Sequence, residues 1–224
     1  MQLYKYETHA HTKETSKCSL VTAAELVGYY KASGYVGIFI TDHFLNGNTA
    51  VPEELPWKKR IELFCRGYEN ALTEGQRIGI DVYFGWECSY RGLDLLTYGL
   101  DKQWLFEHLD VHRLGINEYC DLIHDNNGFI VHAHPFLAAV DMHVDPRYFP
   151  KNVDGLEIFN GSRSDFENEC AYNYAKKINL LPFAGTDNHI GLHDRLTGIM
   201  LSGRLTNAED MINAVRNKET KLIL

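Results

Sequence analysis

Two histidines near the start of the chain have the spacing of metal ligands. His9 and His11 flank one alanine at the end of residues 3–8, an alternating, Tyr-rich segment that we predict to be the first strand. Side chains at positions i and i+2 of a strand project from the same face, so both imidazoles point the same way. Because His-x-His often occurs by chance, the pair indicates a metal site only if other segments supply further ligands.

Further imidazoles and carboxylates occur where other predicted strands end. Short apolar runs at residues 36–41, 81–86, 129–131 and 182–186 have the composition of strands buried on both faces. The polar residues that follow these runs are Asp42 and His43, Glu87, His132 and His134, and Asp187 and His189. Carboxyl ends of parallel strands share one rim of an α/β fold, where active sites are built. We therefore predict that five strand ends meet at one metal site.

Each of these residues also has an ordinary structural explanation. A buried histidine is more often a hydrogen-bonded core residue than a ligand, Asp42 could cap the following loop, and Glu87 could pair with Arg91. Their joint occurrence at matching strand ends favours metal binding over these separate explanations. A site so rich in imidazole and carboxylate suits Zn, Mn or Fe better than Mg, which prefers oxygen ligands and water.

The elements that must position these residues alternate along the chain. About seven β-α repetitions predict a mainly parallel sheet, with a further strand at residues 95–100 and a single helix over residues 57–78. The length of 224 residues, without a linker or repeat, predicts one domain over residues 1–224. Two long irregular stretches, residues 42–56 and 134–153, are expected to be functional.

Composition narrows the choice of partners. A net charge of −8 with 22 Lys and Arg argues against a stable nucleic-acid partner, although bound cations would still permit a small phosphorylated substrate. Five cysteines without CxxC spacing predict reduced, inert thiols. No signal-peptide pattern and no apolar run of about 18 residues is present, so we expect a cytoplasmic protein without membrane contact. The sequence does not indicate the oligomeric state.

The motifs at the strand ends resemble those of the PHP (polymerase and histidinol phosphatase) family. They are His-x-His-Thr at residues 9–12, Thr41-Asp42-His43, Gly85-Trp86-Glu87, Ala133-His134-Pro135 and Gly185-Thr186-Asp187-Asn188-His189. The resemblance covers residues 4–201. It implies an α/β fold, a distorted (β/α)7 TIM-like barrel, with two or three divalent metal ions (Zn, Mn or Fe) at its C-terminal rim. It also implies hydrolysis of phosphoesters by a metal-activated water.

The resemblance assigns ligand roles to individual residues. The first metal would be bound by His9, His11, Glu87 and Asp187, with Glu87 bridging to a second metal. His43 and His134 would bind that second metal, and His189 would complete the cluster. In many family members an Asp or His follows the His-x-His pair, and a His begins the strand after the glutamate. Glu14 and Asp94 are the residues that we expect to replace them.

Other residues are expected to surround the ligands. Asp42 could orient His43, and His132 could bind instead of His134, although His134 is favoured because it precedes the proline. The general acid is expected to be His189 or His193. Candidate substrate contacts are Arg195 and Arg163, which could equally pair with neighbouring aspartates, together with Asn160, Tyr90 and Arg91.

The predicted substrate is a small phosphorylated metabolite or a nucleotide, hydrolysed at a di- or trinuclear site. Two alternatives remain open. An amidohydrolase-type enzyme that cleaves C–N bonds also uses His-x-His at the first strand of a barrel, but the sequence lacks a clear lysine at a strand end for it. A barrel that binds metal without turnover is the other alternative, which a missing ligand would favour.

Overall fold

One mixed sheet forms the centre of the fold in a computed structural model of the chain, which describes residues 2–90, 92–137 and 152–224. Its strands are β1 (Tyr4–Glu7), β2 (Gly37–Ile40), β3 (Asp81–Tyr90), β4 (Leu93–Tyr98), β5 (Phe129–Ala133), β6 (Gly155–Asn160), β7 (Leu181–Gly185), β8 (Gly198–Leu201) and β9 (Lys221–Ile223). Arg91 and most of the predicted loop at 134–153 lie outside the described residues.

Helices cover the outside of this sheet. They are α1 (Ala23–Ala32), α2 (Trp57–Phe64), α3 (Arg66–Ile78), α4 (Lys102–Glu107), α5 (Ile116–Asp125), α6 (Asp165–Ile178) and α7 (Ala208–Arg216). Helix α1 begins with a capping box, in which the Thr22 hydroxyl accepts from the backbone of Glu25 and the Glu25 carboxylate accepts from the backbone of Thr22. No helix among the described residues is long and apolar enough to cross a membrane.

The strand order is β7-β6-β5-β4-β3-β2-β1-β8-β9. Strands β1 to β3 are parallel to one another, as are β5 to β7, whereas β4 runs antiparallel to both of its neighbours. The predicted β-α alternation is interrupted here because only two residues separate β3 from β4, and a connection so short permits only an antiparallel pair. Strand β8 is antiparallel to β1, and β9 to β8.

The sheet nearly closes into a barrel beyond the ends of β1 and β7. The backbone of His11 donates to Asn188 O (2.9 Å), and the backbone of Asn188 donates to His9 O (3.2 Å). Aromatic side chains fill the interior, among them Tyr6, Phe39, Tyr83, Tyr98, Phe129 and Phe183. This closure places the first and last ligand segments of the sequence side by side at one rim.

The helix predicted over residues 57–78 is divided in two at Cys65. The Thr15 hydroxyl donates to Phe64 O (3.1 Å) and accepts from the backbone of Gly67 (3.3 Å), so a side chain from the first loop occupies hydrogen-bonding groups at the helix junction. A Cβ atom at position 67 would lie 2.1 Å from Thr12 Oγ1, so only glycine allows this approach. The break therefore packs α3 against the segment that follows His11.

Candidate metal centre

Seven of the predicted ligands meet at the C-terminal rim of the parallel strands. They form three overlapping groups whose ligand atoms lie within 4.8 Å of one another. The groups are His9, His11 and Asp187; His9, Glu87 and His134; and His11, His43 and His189. Six of these residues come from the segments that follow β1, β2, β5 and β7, whereas Glu87 lies within β3, which continues to Tyr90 beyond its predicted end at residue 86. The fold therefore brings together the five segments singled out in the sequence.

The group around His9 has the spacing of a coordination shell. Its Nε2 lies 3.1 Å from His11 Nε2, 3.3 Å from Glu87 Oε1 and 3.4 Å from Asp187 Oδ1. Nε2 of His11 lies 3.6 Å from Glu87 Oε2 and 3.4 Å from Asp187 Oδ1. Bonds of about 2.0–2.1 Å put neighbouring ligands of a tetrahedral zinc ion about 3.3–3.4 Å apart. The observed distances therefore fit one divalent ion.

Glu87 connects all three groups. Its Oε1 lies 3.2 Å from His134 Nε2 as well as near His9, and its Oε2 lies 2.7 Å from His43 Nδ1. Burial raises the pKa of this carboxyl, but the charges of His9 and His43 and a hydrogen bond from His134 outweigh it and hold the pKa well below its usual range. Among the described residues, Glu87 Oε2 and His43 Nδ1 have no partner of hydrogen-bond geometry. Buried polar atoms crowded in this way are typical of ligands that close around a cation.

Glu157 orients His9, a role that the sequence did not predict. Its Oε1 lies 3.0 Å from His9 Nδ1, so in the tautomer that donates from Nδ1 the Nε2 lone pair faces the other ligands. The other oxygen accepts from the backbone of His134 (2.8 Å) and from Asn160 Nδ2 (2.8 Å). Carboxylates that fix a ligating imidazole in this way are common beside protein metals. The inward alternation of β6 was the only sequence signal.

Asp42 is linked to the ring of His11 through the hydroxyl of Ser16. Its Oδ1 accepts from Ser16 Oγ (2.7 Å), and Ser16 Oγ lies 3.3 Å from His11 Nδ1 and accepts from the backbone of His43 (3.0 Å). The same carboxylate accepts twice from Thr12. The structure therefore links Asp42 to the ring of His11, whereas it reaches His43 only through the backbone.

Two of the ligand residues have left-handed backbone conformations. The φ angle is 27° at His134 and 56° at Asp187, values that non-glycine residues seldom adopt. Asn188 supports the second one, because its Oδ1 accepts from the backbones of Ile190 (3.0 Å) and Gly191 (2.8 Å). Such strain is found where the surrounding structure holds functional residues in place.

Cys18 lies at this centre, which corrects its prediction as an inert thiol. It is the exposed member of the five cysteines, and its Sγ lies 3.1 Å from His43 Nε2. Burial raises the pKa of the thiol, but hydrogen bonds to His189 and His43 outweigh it and lower the pKa to about 6. Sequence spacing could have pointed to it, since Cys18 lies seven residues after His11 in the segment where a further ligand was sought.

Glu14, the residue proposed for that segment, points elsewhere. Its carboxylate accepts from the backbone of Ala23 (3.0 and 3.2 Å) and from Asn70 Nδ2 (3.2 Å). It therefore caps the positive end of α1, where a carboxylate is favoured. The prediction that Glu14 binds metal is wrong for this structure.

Asp94 lies beside the centre. It lies on β4 opposite Ser89 of β3 on one side and opposite Ala133 of β5 on the other. Burial and the charge of Glu87 raise the pKa of its carboxyl, against the opposing effect of His134. None of the three ligand groups found among the described residues includes Asp94. Because it lies near Glu87 and His134, Asp94 remains a candidate ligand of the second metal ion.

Two predicted catalytic residues are instead engaged in the loop after β7. Both ring nitrogens of His193 have protein partners, with Nε2 3.1 Å from Ser162 Oγ and Nδ1 accepting from the backbone of Arg195 (3.1 Å). The guanidinium of Arg195 donates to Gly161 O, to Arg163 O and to Asp165 Oδ1 (2.5 Å). These contacts hold the loop after β7 against the loop after β6, so the structure does not support catalytic roles for His193 and Arg195.

Arg163 and His189 do lie at the rim. Arg163 donates to Asp187 Oδ2 (3.3 Å), and its side chain is partly exposed. The ring of His189 stacks on that of His11, and its Nδ1 lies 3.0 Å from Asp187 O. Burial lowers the pKa of His189, but hydrogen bonding to Cys18 and the charge of Asp187 outweigh it and raise the pKa. Both residues are therefore placed to meet a substrate bound at the centre.

Two other predicted site residues, Asn160 and His132, are buried away from solvent. Asn160 is 1% exposed and holds Glu157, so it is not a surface for substrate. His132 is 2% exposed and belongs to none of the three ligand groups of the described residues. Burial, together with the charge of His134, lowers the pKa of His132 to about 3 and keeps its ring neutral. The ligand choice between these two histidines therefore falls on His134, whose Nε2 faces Glu87.

The fold and the side chains at its rim define an α/β barrel with a candidate site for divalent metal ions. The sequence matches no protein-family model and no curated protein. A two-domain protein from Bacteroides vulgatus, described as containing a predicted PHP-like metal-dependent phosphoesterase, has a TM-score of 0.73 and 14% identity over 99% of this chain and 64% of its own.

Two further solved structures share the fold. A lesion-specific endonuclease from Pyrococcus furiosus has a TM-score of 0.65 and 13% identity over 100% of this chain and 58% of its own. A protein from Bifidobacterium adolescentis, provisionally described as a metal-dependent phosphoesterase, has a TM-score of 0.51 and 14% identity over 97% of both chains. This chain thus spans less than two thirds of the Bacteroides and Pyrococcus proteins. The likeness confirms the predicted fold, a distorted α/β barrel of the PHP type.

Proposed function

We propose that this protein is a metal-dependent phosphoesterase of the PHP family. It would hydrolyse a small phosphorylated metabolite or a nucleotide by a metal-activated water at a di- or trinuclear site. The observation that carries the proposal is Glu87, a fully buried carboxylate whose two oxygens each face two imidazoles. A carboxylate shared in this way is suited to hold two ions close together, as in two-metal hydrolytic sites.

The residues present fit such ions, on the ligand spacings and the crowded Glu87 oxygen described above. His9, His11, Glu87 and Asp187 would hold the first ion, and Glu87 with His134 the second. Asp94, a carboxylate whose pKa is affected by both Glu87 and His134, is a further candidate ligand for the second ion. When bound, the ions would supply a water that ionises near neutral pH and positive charge for phosphoryl oxygens.

Other side chains at the rim have roles that need no metal. The guanidinium of Arg163 would bind phosphoryl oxygens through the N–H groups that Asp187 does not use. While no ion is bound at its Nε2, the partly exposed ring of His189, whose pKa is raised, would donate a proton to the leaving alkoxide; an ion bound at that nitrogen would replace this role. A small substrate is favoured over a long nucleic acid because the net charge of the chain is −8.

A screen of phosphorylated metabolites and nucleotides would test this proposal. The protein is stripped with chelator, reloaded with Zn, Mn or Fe, and assayed for released phosphate, with amides and lesion-containing DNA as further substrates. We expect hydrolysis of a small phosphoester that depends on added metal and is lost in Asp187→Asn. Asp165→Asn, a change at the exposed partner of Arg195, is the matched control and should retain activity.

The alternatives make different predictions in the same screen. Cleavage of amides alone would favour the amidohydrolase-type alternative, and cleavage of DNA alone would overturn the choice of a small substrate. Protein that binds no metal under any of these conditions would exclude the metal-dependent reaction altogether.

A further inference from the structure

Cys18 is the residue at the centre whose chemistry differs most from that of the predicted ligands. Its exposed thiol lies 3.1 Å from His43 Nε2 and also hydrogen-bonds to His189. His43 and His189 form one ligand group with His11. A sulfur atom and two imidazoles therefore meet at the ligand group that does not include His134 or Glu87.

The distances suit an ion shared by these side chains. With bonds of about 2.3 Å to sulfur and about 2.0–2.1 Å to nitrogen, adjacent ligands of a tetrahedral site lie about 3.6 Å apart. Sγ and Nε2 are 3.1 Å apart, so a small rotation of the exposed Cys18 side chain would open the required gap. The backbone need not move.

Both imidazoles present the correct nitrogen. Nδ1 of His189 lies 3.0 Å from Asp187 O, and Nδ1 of His43 lies 2.7 Å from Glu87 Oε2. In the tautomers that donate from Nδ1, the Nε2 lone pair of each ring is available, and that of His43 faces the sulfur. The Glu87 oxygen beside His43 is buried and lies 2.7 Å from Nδ1 of that ring, so the carboxylate that connects the other ligand groups also holds His43 with its Nε2 toward Cys18.

We propose that Cys18, as a thiolate, binds a divalent ion together with His43 and His189, next to the ions around Glu87. This inference rests on the proposed metal-dependent function and adds a ligand to it. Binding would release the thiol proton to solvent and leave sulfur bonded to the ion. Because a thiolate is a soft ligand, this position would prefer Zn²⁺, Co²⁺ or Cd²⁺ to Mg²⁺ or Mn²⁺.

Titration of the chelator-stripped, full-length protein with Co²⁺ provides the direct test. We expect a thiolate-to-cobalt charge-transfer band in the near ultraviolet and, by plasma emission analysis, one more ion per chain than in Cys18→Ser. The serine variant should lose both the band and that ion. Cys18→Asp, which restores an anionic oxygen ligand, should keep the ion and lose the band.

Alkylation supplies a second measurement that does not require a variant. Zn²⁺ should protect Cys18 of the wild-type protein from iodoacetamide, as mapped by peptide mass spectrometry. The other four cysteines are buried and serve as internal references. Protection of this residue by Zn²⁺ but not by Mg²⁺ supports the ligand assignment even if a variant fails to fold.

The outcomes separate this inference from the proposed function. Co²⁺ binding without a charge-transfer band, and without protection of Cys18, would overturn the thiolate ligand while leaving the Glu87-centred site in place. Absence of any Co²⁺ binding would overturn both. Equal ion content in wild type and Cys18→Ser would also contradict the inference.

Discussion

Two pairs of buried carboxylates lie at the same rim of the barrel and differ in the groups that face them. Glu7 and Asp42 are surrounded by neutral N–H and O–H donors. Glu87 and Asp187 are surrounded by imidazoles. All four are at most 4% exposed, so burial penalises the charge of each to a similar degree.

The first pair is satisfied within the protein. Glu7 Oε1 accepts from the backbones of Thr8 (2.8 Å), His9 (2.8 Å) and Thr186 (2.9 Å), and its Oε2 accepts from the Thr186 hydroxyl. Asp42 accepts from Thr12 and a serine, as described above. For both carboxyls, burial exceeds the effect of these hydrogen bonds, and the pKa is raised, to about 6 for Asp42.

The second pair shifts in the opposite direction. Burial would raise the pKa of Asp187 also, but the charge of His9 and a hydrogen bond from His11 outweigh it and hold the pKa well below its usual value. The Asp187 carboxylate lies within 3.4 Å of His9, His11 and Arg163. A buried carboxylate is thus structural where neutral donors satisfy it, and a candidate ligand where imidazole nitrogens converge on it.

The largest expected effect is that of Glu87→Gln. Because an amide cannot replace a carboxylate that is shared between metal ions, the metal content of this variant should fall. Its phosphoesterase activity should decrease by more than about 100-fold, a larger loss than is usual when a residue that only orients a ligand is replaced. Plasma emission analysis and kcat/KM on the best substrate measure the two effects. If this variant kept its full metal content, Glu87 would have a structural role only, like Glu7 and Asp42.

Glu157→Gln tests a residue that acts through a ligand. Loss of the negative charge beside His9 Nδ1 should weaken metal binding by about 10–100-fold, the usual effect of such partners. Competition with a chromogenic chelator gives the affinity. If the free energy of unfolding changed and the metal affinity did not, Glu157 would have a structural role only, like Glu7 and Asp42.

Asp42→Asn tests the difference between the two pairs of carboxylates through the pH dependence of stability. The pKa of Asp42 is raised to about 6 in the folded protein from 3.8, so the folded state holds a proton that the unfolded state has lost between these values. Stability from this group is therefore present below pH 4 and lost as pH rises through 6, by about 3 kcal/mol.

The difference between variant and wild type is the informative quantity. Urea unfolding of both metal-free proteins between pH 4 and pH 7 should show the wild type losing stability relative to Asp42→Asn as pH rises. Parallel stability curves would show that Asp42 titrates with an ordinary pKa.

Glu7→Gln should affect stability alone. The amide NH2 group would face a donor that now meets a carboxylate oxygen, at a cost of about 1–3 kcal/mol in the free energy of unfolding. Urea unfolding measures this loss. Metal content per chain should equal that of the wild type, and a variant that bound fewer ions at unchanged stability would remove the distinction between the two pairs.

Much of the centre could be predicted from sequence because its residues follow short apolar strands. Parallel topology brings together the segments that follow such strands and hold His9, His11, His43, His134, Asp187 and His189, and it places Glu87 of β3 beside them. The errors occurred where local pattern does not determine direction. Glu14 and Cys18 lie in one irregular loop, and only tertiary contacts decide which of the two turns toward the ligands.

Other roles also depend on tertiary contacts and could not be assigned from the sequence. Glu157 has no local feature that separates an orienting carboxylate from a buried structural one. Arg195 and His193 have residue types suited to catalysis, yet their side chains are held by the backbone of Gly161 and the hydroxyl of Ser162, which lie more than thirty residues earlier in sequence. The division of residues 57–78 at Cys65 likewise depends on Thr15, about fifty residues earlier.

The sequence alone determined the class of fold, the rim and the identity of most candidate ligands, because strand periodicity indicates which residues end a buried strand. The tertiary structure decided how those residues are used. Closure of β1 against the end of β7 sets His9 against Asp187, and the loop after His11 places a thiol, not a carboxylate, beside His43. Contacts between segments distant in sequence set these directions, and local propensity contains no information about them.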